Sequence, residues 1–309
     1  MITIYKNGEN GLLQISEPTS GSWINAINPS PEEIAQIQAL GIPQDYITYP
    51  LDLDERSRTE RENGELLIVL RIPYFQGEAS DIPYTTIPLG IIVTDRYILT
   101  VSKMENEILR IFSDGRARDL VITKRLRFVL RLLLNAANKY LIYLREIQKA
   151  VDLLEDQLQQ STRNKEVLEL LKYQKSLTYF TTALKSNELM MERLRRSGLF
   201  DTYPEDEDLL EDVMTENQQA IEMTNITSNI LSSMMDAFAS IISNNLNVVM
   251  KFLASITIVM SLPTMVASFF GMNVSLPFEN HPHAFPLTLL LSIFLSLVAV
   301  YIFWKRDWF

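Results

Sequence analysis

The sequence has no cysteine, which excludes disulfides, thiolate metal sites and a cysteine nucleophile together. Its only histidines, His281 and His283, flank Pro282 and read as loop residues rather than zinc ligands, so a His-built metal site or triad has nothing to be made from. No Gly-rich phosphate loop occurs. The start, Met1-Ile2-Thr3-Ile4-Tyr5-Lys6, is not a basic-then-apolar leader, so no signal peptide is expected. Basic charge is also scarce: 28 Lys+Arg against 38 Asp+Glu give −10 over 309 residues. Residues 201–250 contain ten acids and no Lys or Arg, so that stretch alone accounts for the whole excess. Nucleic acid is therefore not expected as a partner. With 47% hydrophobic residues, a disordered chain is excluded as well.

Glycine and proline are unevenly spread, and this divides the chain. Eight of the ten glycines and eight of the thirteen prolines precede residue 116. Arg116–Ser197 and Glu205–Leu262 contain neither, and such runs predict long helices because both residues are costly inside one. Residues 1–115 alternate short β-rich and helical signals. Ile2–Tyr5 and Leu12–Ile15 flank Asn7-Gly8-Glu9-Asn10-Gly11, a hairpin signature. Trp23–Ile27, Glu65–Tyr74 and Gly90–Val101 read as strands, the last turned at Thr94-Asp95-Arg96. Ser30-Pro31-Glu32-Glu33 predicts a helix start with an N-cap Ser, Pro at the first position and Glu three residues after the cap. The fold class expected is a cytoplasmic α+β domain with a mixed sheet, then a long-helix hairpin over 116–200 broken near 160–164. Leu130, Leu133, Leu134, Ala137, Leu141 and Leu144 give that hairpin a buried stripe, and its charges read as a solvated face.

A helix running from Glu205 to Phe270 has a length of about 100 Å at 1.5 Å per residue, more than any membrane is thick. Its first part, 201–250, is expected to form a stalk in water. Phe252–Phe270 carries no charge and has close to the roughly 20 residues a bilayer span needs. Leu287–Trp304 is a second apolar run, so two transmembrane helices are expected over 251–273 and 287–304, joined by a loop over 274–286. That loop has no Lys or Arg, whereas Lys251 and Lys305-Arg306 flank the opposite ends. The positive-inside rule places residues 1–250 and the basic tail 305–309 in the cytoplasm and the loop outside.

Along the first membrane helix, steps of three and four residues pick out Asn247, Met250, Ala254, Thr257, Ser261, Thr264 and Ser268. None is charged and none is larger than Met; the 3.5 average keeps one face inward in a left-handed bundle. Two readings compete. Small and polar residues permit close helix packing, or they form a pore wall, which needs an oligomer with this helix innermost. Met250, with Leu253 close by and Asn247 one turn below, is then expected to make an apolar gate that closes by dewetting. At the helix end stands Phe270-Gly271-Met272-Asn273. Gly lets backbone carbonyls approach an axis, and the neutral Asn carboxamide suits a cation that keeps its water, as Mg²⁺ does.

In this context the chain resembles the CorA family of magnesium channels. The resemblance rests on Gly271-Met272-Asn273 at the outer end of the first membrane helix, the short loop with Glu279, and Lys305-Arg306-Asp307-Trp308-Phe309. Leu262–Ser268, with its Pro263-Thr264, also looks like the family's pattern; Trp23-Ile24-Asn25 and Leu66–Leu70 fit its cytoplasmic domain more loosely. Two departures are the Phe270 that stands where the family has Tyr, and Ser261, where some relatives have a bulky apolar residue. The resemblance implies a homopentamer with a cytoplasmic funnel in the cell membrane, admitting Mg²⁺ down its electrochemical gradient without ATP. Gly271, Met272 and Asn273 would form the selectivity filter, with Glu279 either a plain loop charge or an acidic ring at the outer mouth. No organic cofactor and no enzymatic activity are implied. A Zn²⁺, Co²⁺ or Ni²⁺ transporter on the same fold, and a membrane-anchored assembly protein that does not conduct, are the alternatives.

Seven carboxylates crowd into Asp201–Asp212 with no base nearby in sequence. They read either as a solvated helix start favoured by the helix dipole, or as a ring of charges between subunits that intracellular Mg²⁺ neutralises. In the second reading Asp208 and Asp212 hold regulatory metal; the family places a sensing carboxylate near this helix start, and Asp212 is the match.

Overall fold

The computed structural model describes residues 1–8, 11–62, 64–115, 121–160, 164–273, 282–306 and 308. Seven strands form one sheet: β1 (Ile2–Gly8), β2 (Gly11–Ile15), β3 (Ser22–Ile27), β4 (Arg58–Glu62), β5 (Glu65–Phe75), β6 (Tyr84–Val93) and β7 (Tyr97–Ser102). Their order is β2-β1-β3-β7-β6-β5-β4, with β3 and β7 parallel and every other neighbour antiparallel. The sheet is therefore mixed, as the alternating signals predict.

The sheet is covered on both faces. On one side lie α1 (Pro31–Gln38), α2 (Gln44–Thr48) and a single 3₁₀ turn, Tyr49–Leu51, packed on Ile24, Leu67, Val69, Leu99 and Val101. α1 begins as its sequence requires: Ser30 Oγ accepts from the Glu33 amide, and Glu33 reaches back to the Ser30 amide at 2.8 Å. Gly90 allows Pro50 to lie on the sheet, since a Cβ there would sit 2.2 Å from Pro50 Cγ.

The opposite face carries α3 (Glu107–Ser113), α4 (Arg125–Gln160), α5 (Asn164–Arg196) and the start of α6 (Pro204–Phe270). The predicted stripe on α4 is buried at Leu130, Leu133, Ala137, Leu141 and Leu144, with Leu134 half-buried. Each such leucine contributes about 1.5–3 kcal/mol by leaving water. Asn187 ties α5 to β5: its Nδ2 donates to the Arg71 carbonyl at 2.8 Å, and its Oδ1 accepts from the Arg71 amide at 3.0 Å. The Arg71 guanidinium donates to Leu53 O, Glu55 O and Thr86 O, and its burial pulls its pKa below the ordinary value.

Met1–Met234 and Met235–Phe309 form two compact units, and α6 contributes to both. The second unit contains the apolar part of α6 and α7 (Ala284–Lys305). α7 begins before the expected Leu287, so Pro286 lies in its first turn, where a missing N–H leaves no hydrogen bond unmade. Both helices are long and apolar enough to cross a membrane.

Candidate functional site

α6 is one helix of 67 residues. Pro263 does not interrupt it, although the ring removes the N–H that the Val259 carbonyl would accept. The less exposed positions of its apolar part are Ser255, Ile256, Val259, Leu262 and Val266, which share one side of the helix. On α7 they are Ala284, Thr288, Ser292, Leu295, Ser296, Ala299 and Phe303. A cleft of about 390 Å³ lined by Ile256, Val259 and Met260 from α6 and Val300 and Trp304 from α7 lies between these two faces. The intrachain seam thus mixes small residues, Ser255, Ser292, Ser296 and Ala299, with larger apolar ones such as Leu262, Leu295 and Phe303.

The stripe singled out from the sequence lies elsewhere on α6. Asn247, Met250, Ala254, Thr257, Ser261, Thr264 and Ser268 are all exposed, as is Leu253. Met250 is 58% exposed and Leu253 53% exposed, so neither side chain is packed within the chain. Thr257 Oγ1 donates to the Leu253 carbonyl at 2.8 Å, Ser261 Oγ to Ile258 at 2.9 Å and Thr264 Oγ1 to Met260 at 3.4 Å. Each hydroxyl proton is therefore committed to its own helix, and each oxygen is left with lone pairs to offer outward.

At the end of this stripe the chain leaves the helix at Gly271-Met272-Asn273. The Gly271 amide still donates to the Ala267 carbonyl at 2.9 Å, and Met272 to Phe269 at 3.3 Å. Gly271 is not among the residues with positive φ, so its part is not a left-handed turn. A Cβ there would lie 3.2 Å from the Ala267 carbonyl oxygen, tighter than ordinary contact, and glycine removes that conflict. Met272 and Asn273 are exposed. Glu279 and His281 lie outside the described residues; His283 precedes α7.

The acidic start of α6 differs from its reading in sequence. A base is close in space: Arg127 of α4 donates to Asp206 through Nε, and to Glu205 through Nη2 at 2.7 Å. Asp206 is buried, and the paired guanidinium holds Glu205 below the usual carboxylate range. Asp208 and Asp212 are exposed. Among the described residues no three Asp, Glu or His gather closely enough to hold a metal ion within one chain.

The sheet domain, the long helices and the two closing apolar helices have counterparts in known proteins. A family model described as CorA-like Mg2+ transporter protein matches residues 19–306. The chain is 30% identical over 298 residues to the "Cobalt/magnesium transport protein CorA" of Methanocaldococcus jannaschii, covering 93% of this chain and 90% of that protein. It is 23% identical over 317 residues to the protein of the same name from Thermotoga maritima, covering 96% and 86%. The solved complete structure of the CorA magnesium transporter from Methanocaldococcus jannaschii matches with a TM-score of 0.86 at 24% identity, over 100% of this chain and 99% of that one. The family match spans the sheet domain, α6 and α7 in one chain, and the protein belongs to the family of CorA-like Mg²⁺ transporters.

Proposed function

We propose that this chain is the subunit of a homopentameric Mg²⁺ channel in the cell membrane, with α6 innermost and α7 outside it. The carrying observation is the exposed stripe from Asn247 to Ser268, which leads into Asn273 and is separate from the α7 seam. A Mg²⁺ ion dehydrates reluctantly, and the waters it keeps turn their hydrogens outward. Their match is a wall of acceptors, and Thr257, Ser261 and Thr264 present oxygens whose protons are already used. Gly271, Met272 and Asn273 form the filter at the outer end, where the Asn273 carboxamide binds the hydrated ion without a charge that would trap it. Glu279 belongs to the outer mouth. Met250 and Leu253 form the apolar gate near the cytoplasmic boundary. Residues 1–250 and the tail lie in the cytoplasm, following Lys251, Lys305 and Arg306.

Cobalt is the second cargo this reading admits, because two relatives are named cobalt/magnesium transport proteins. Intracellular Mg²⁺ also regulates the channel. With Asp206 and Glu205 engaged by Arg127, the carboxylates left to bind metal between subunits are Asp208 and Asp212. The test is Asn273→Ala: Mg²⁺ uptake is lost while the oligomer assembles. Normal uptake by a correctly assembled Asn273→Ala protein removes the filter from this account.

A further inference from the structure

The first unit holds a cleft that the transport reading does not use. It measures about 230 Å³ and opens between α3 and the β1–β3 rim, with Thr3, Tyr5, Asn25, Glu105, Leu109 and Arg110 in its lining. Thr3 pairs with Asn25 across β1–β3, and Asn25 pairs with Thr100 across β3–β7, so the three form one row on the sheet. Asn106, Leu109, Arg110 and Ser113 recur at three- and four-residue steps and form the face of α3 that borders the cleft.

A directed hydrogen-bond chain fixes the floor. Trp23 Nε1 donates to Thr100 Oγ1 at 2.9 Å, and Thr100 Oγ1 donates to Asn25 Oδ1 at 2.9 Å. An indole N–H can only donate, so the threonine proton passes on to Asn25, and the amide must turn its oxygen to Thr100. Its Nδ2 is then turned away from Thr100, at the cleft. Asn25 is 5% exposed and lines the cleft, and its Nδ2 is not among the buried polar atoms without a partner, so it is open to whatever fills the cleft.

Three charged groups border the cleft: Arg110, Glu105 and the Met1 ammonium, the last already paired with Glu33 at 2.8 Å. Arg110 and Glu105 are exposed, and neither side chain has an ion-pair partner among the described residues. A simple anion that met Asn25 and Arg110 would be repelled by Glu105, and a simple cation would be repelled by Arg110. A molecule with a carboxylate and an ammonium satisfies all three groups. The volume is below the range of drug-sized or nucleotide pockets, and it fits a molecule of a few heavy atoms. Leu109 and Ile27 add an apolar wall for a side chain. We propose that this cleft binds a free α-amino acid, its carboxylate taken by the Asn25 amide and the Arg110 guanidinium and its ammonium by Glu105. The proposal is independent of the transport reading.

Trp23 is the natural reporter, being fully buried beside the row and stacked on Tyr5 at 4.9 Å between ring centroids. Replacing Trp304 and Trp308 by Phe leaves it as the sole tryptophan. The full chain in detergent is titrated with L-leucine, with acetate and methylammonium as single-charge controls. Leucine should change Trp23 emission saturably below about 10 mM, and both controls should fail to saturate there. Arg110→Ala and Glu105→Gln, both surface changes, should each weaken leucine binding at least about tenfold. The proposal is overturned if neither leucine nor glycine saturates, if both variants bind leucine like wild type, or if acetate binds as well as leucine.

Discussion

Thr257→Val separates the two readings of the α6 stripe. Valine keeps the shape of threonine and removes its oxygen. If the stripe only lets helices pack closely, the exchange removes one hydrogen bond to the Leu253 carbonyl and preserves the packing volume. Even hydrogen bonds between membrane helices average only about 0.6 kcal/mol, and this one lies within α6, so its loss should not disturb assembly. If the stripe lines a pore, the same atom meets the ion's water, and symmetry repeats its loss in every subunit. Taking about 0.5 kcal/mol for each lost acceptor, the low end for neutral hydrogen bonds, five copies give about 2.5 kcal/mol. At about 1.36 kcal/mol per decade this is roughly a seventyfold fall in the rate of passage. The control is Val248→Thr: nine residues are two and a half turns, which puts Val248 on the opposite side of α6. Purified variants in vesicles at matched protein density, with a Mg²⁺-sensitive dye inside, give the comparison. The control should conduct within about twofold of wild type, since surface exchanges away from a special feature act weakly. Wild-type uptake by Thr257→Val would refute the pore-wall reading and leave the stripe as a packing face.

Met250→Gly should produce leak current at high internal Mg²⁺ without loss of the oligomer; instability without leak would mean that Met250 only packs against its neighbours in the assembly. Asp208→Asn with Asp212→Asn should raise the internal Mg²⁺ concentration needed for closure, measured by channel recording as Mg²⁺ is stepped from zero. Closure of both proteins at one concentration would make this segment a solvated helix start. Asp206 is left intact in that experiment because it is buried against Arg127, and its loss would disturb the joint between α4 and α6 rather than a metal site.

Much of the fold was legible where local chemistry dictates it. The absence of Gly and Pro marked the helices, and the Ser30-Pro31-Glu32-Glu33 start carries its own caps. The turn at Thr94–Arg96 separates β6 from β7 as expected, with the Tyr97 amide donating to Thr94 Oγ1. β4 was not legible: Arg58-Thr59-Glu60-Arg61-Glu62 has the polar composition of an edge strand, which hides it from a hydrophobic pattern. The short α3 escaped for want of length, although Asn106 caps it by accepting from the Leu109 amide. The acidic run looked free of bases because Arg127 is 78 and 79 residues away from its partners in the chain. Sequence spacing supplied the α6 stripe; that α7 covers the Ser255–Val266 seam instead depends on how two apolar helices pack, which their hydropathy does not encode.

Metal entry into vesicles containing only this chain, with Mg²⁺, Co²⁺, Ni²⁺ and Zn²⁺ compared side by side and no ATP present, decides whether the chain is a Mg²⁺ channel. Mg²⁺ entry should follow the imposed gradient and membrane potential and be lost with Asn273→Ala. Robust Zn²⁺ entry with negligible Mg²⁺ entry would contradict the Mg²⁺ channel reading.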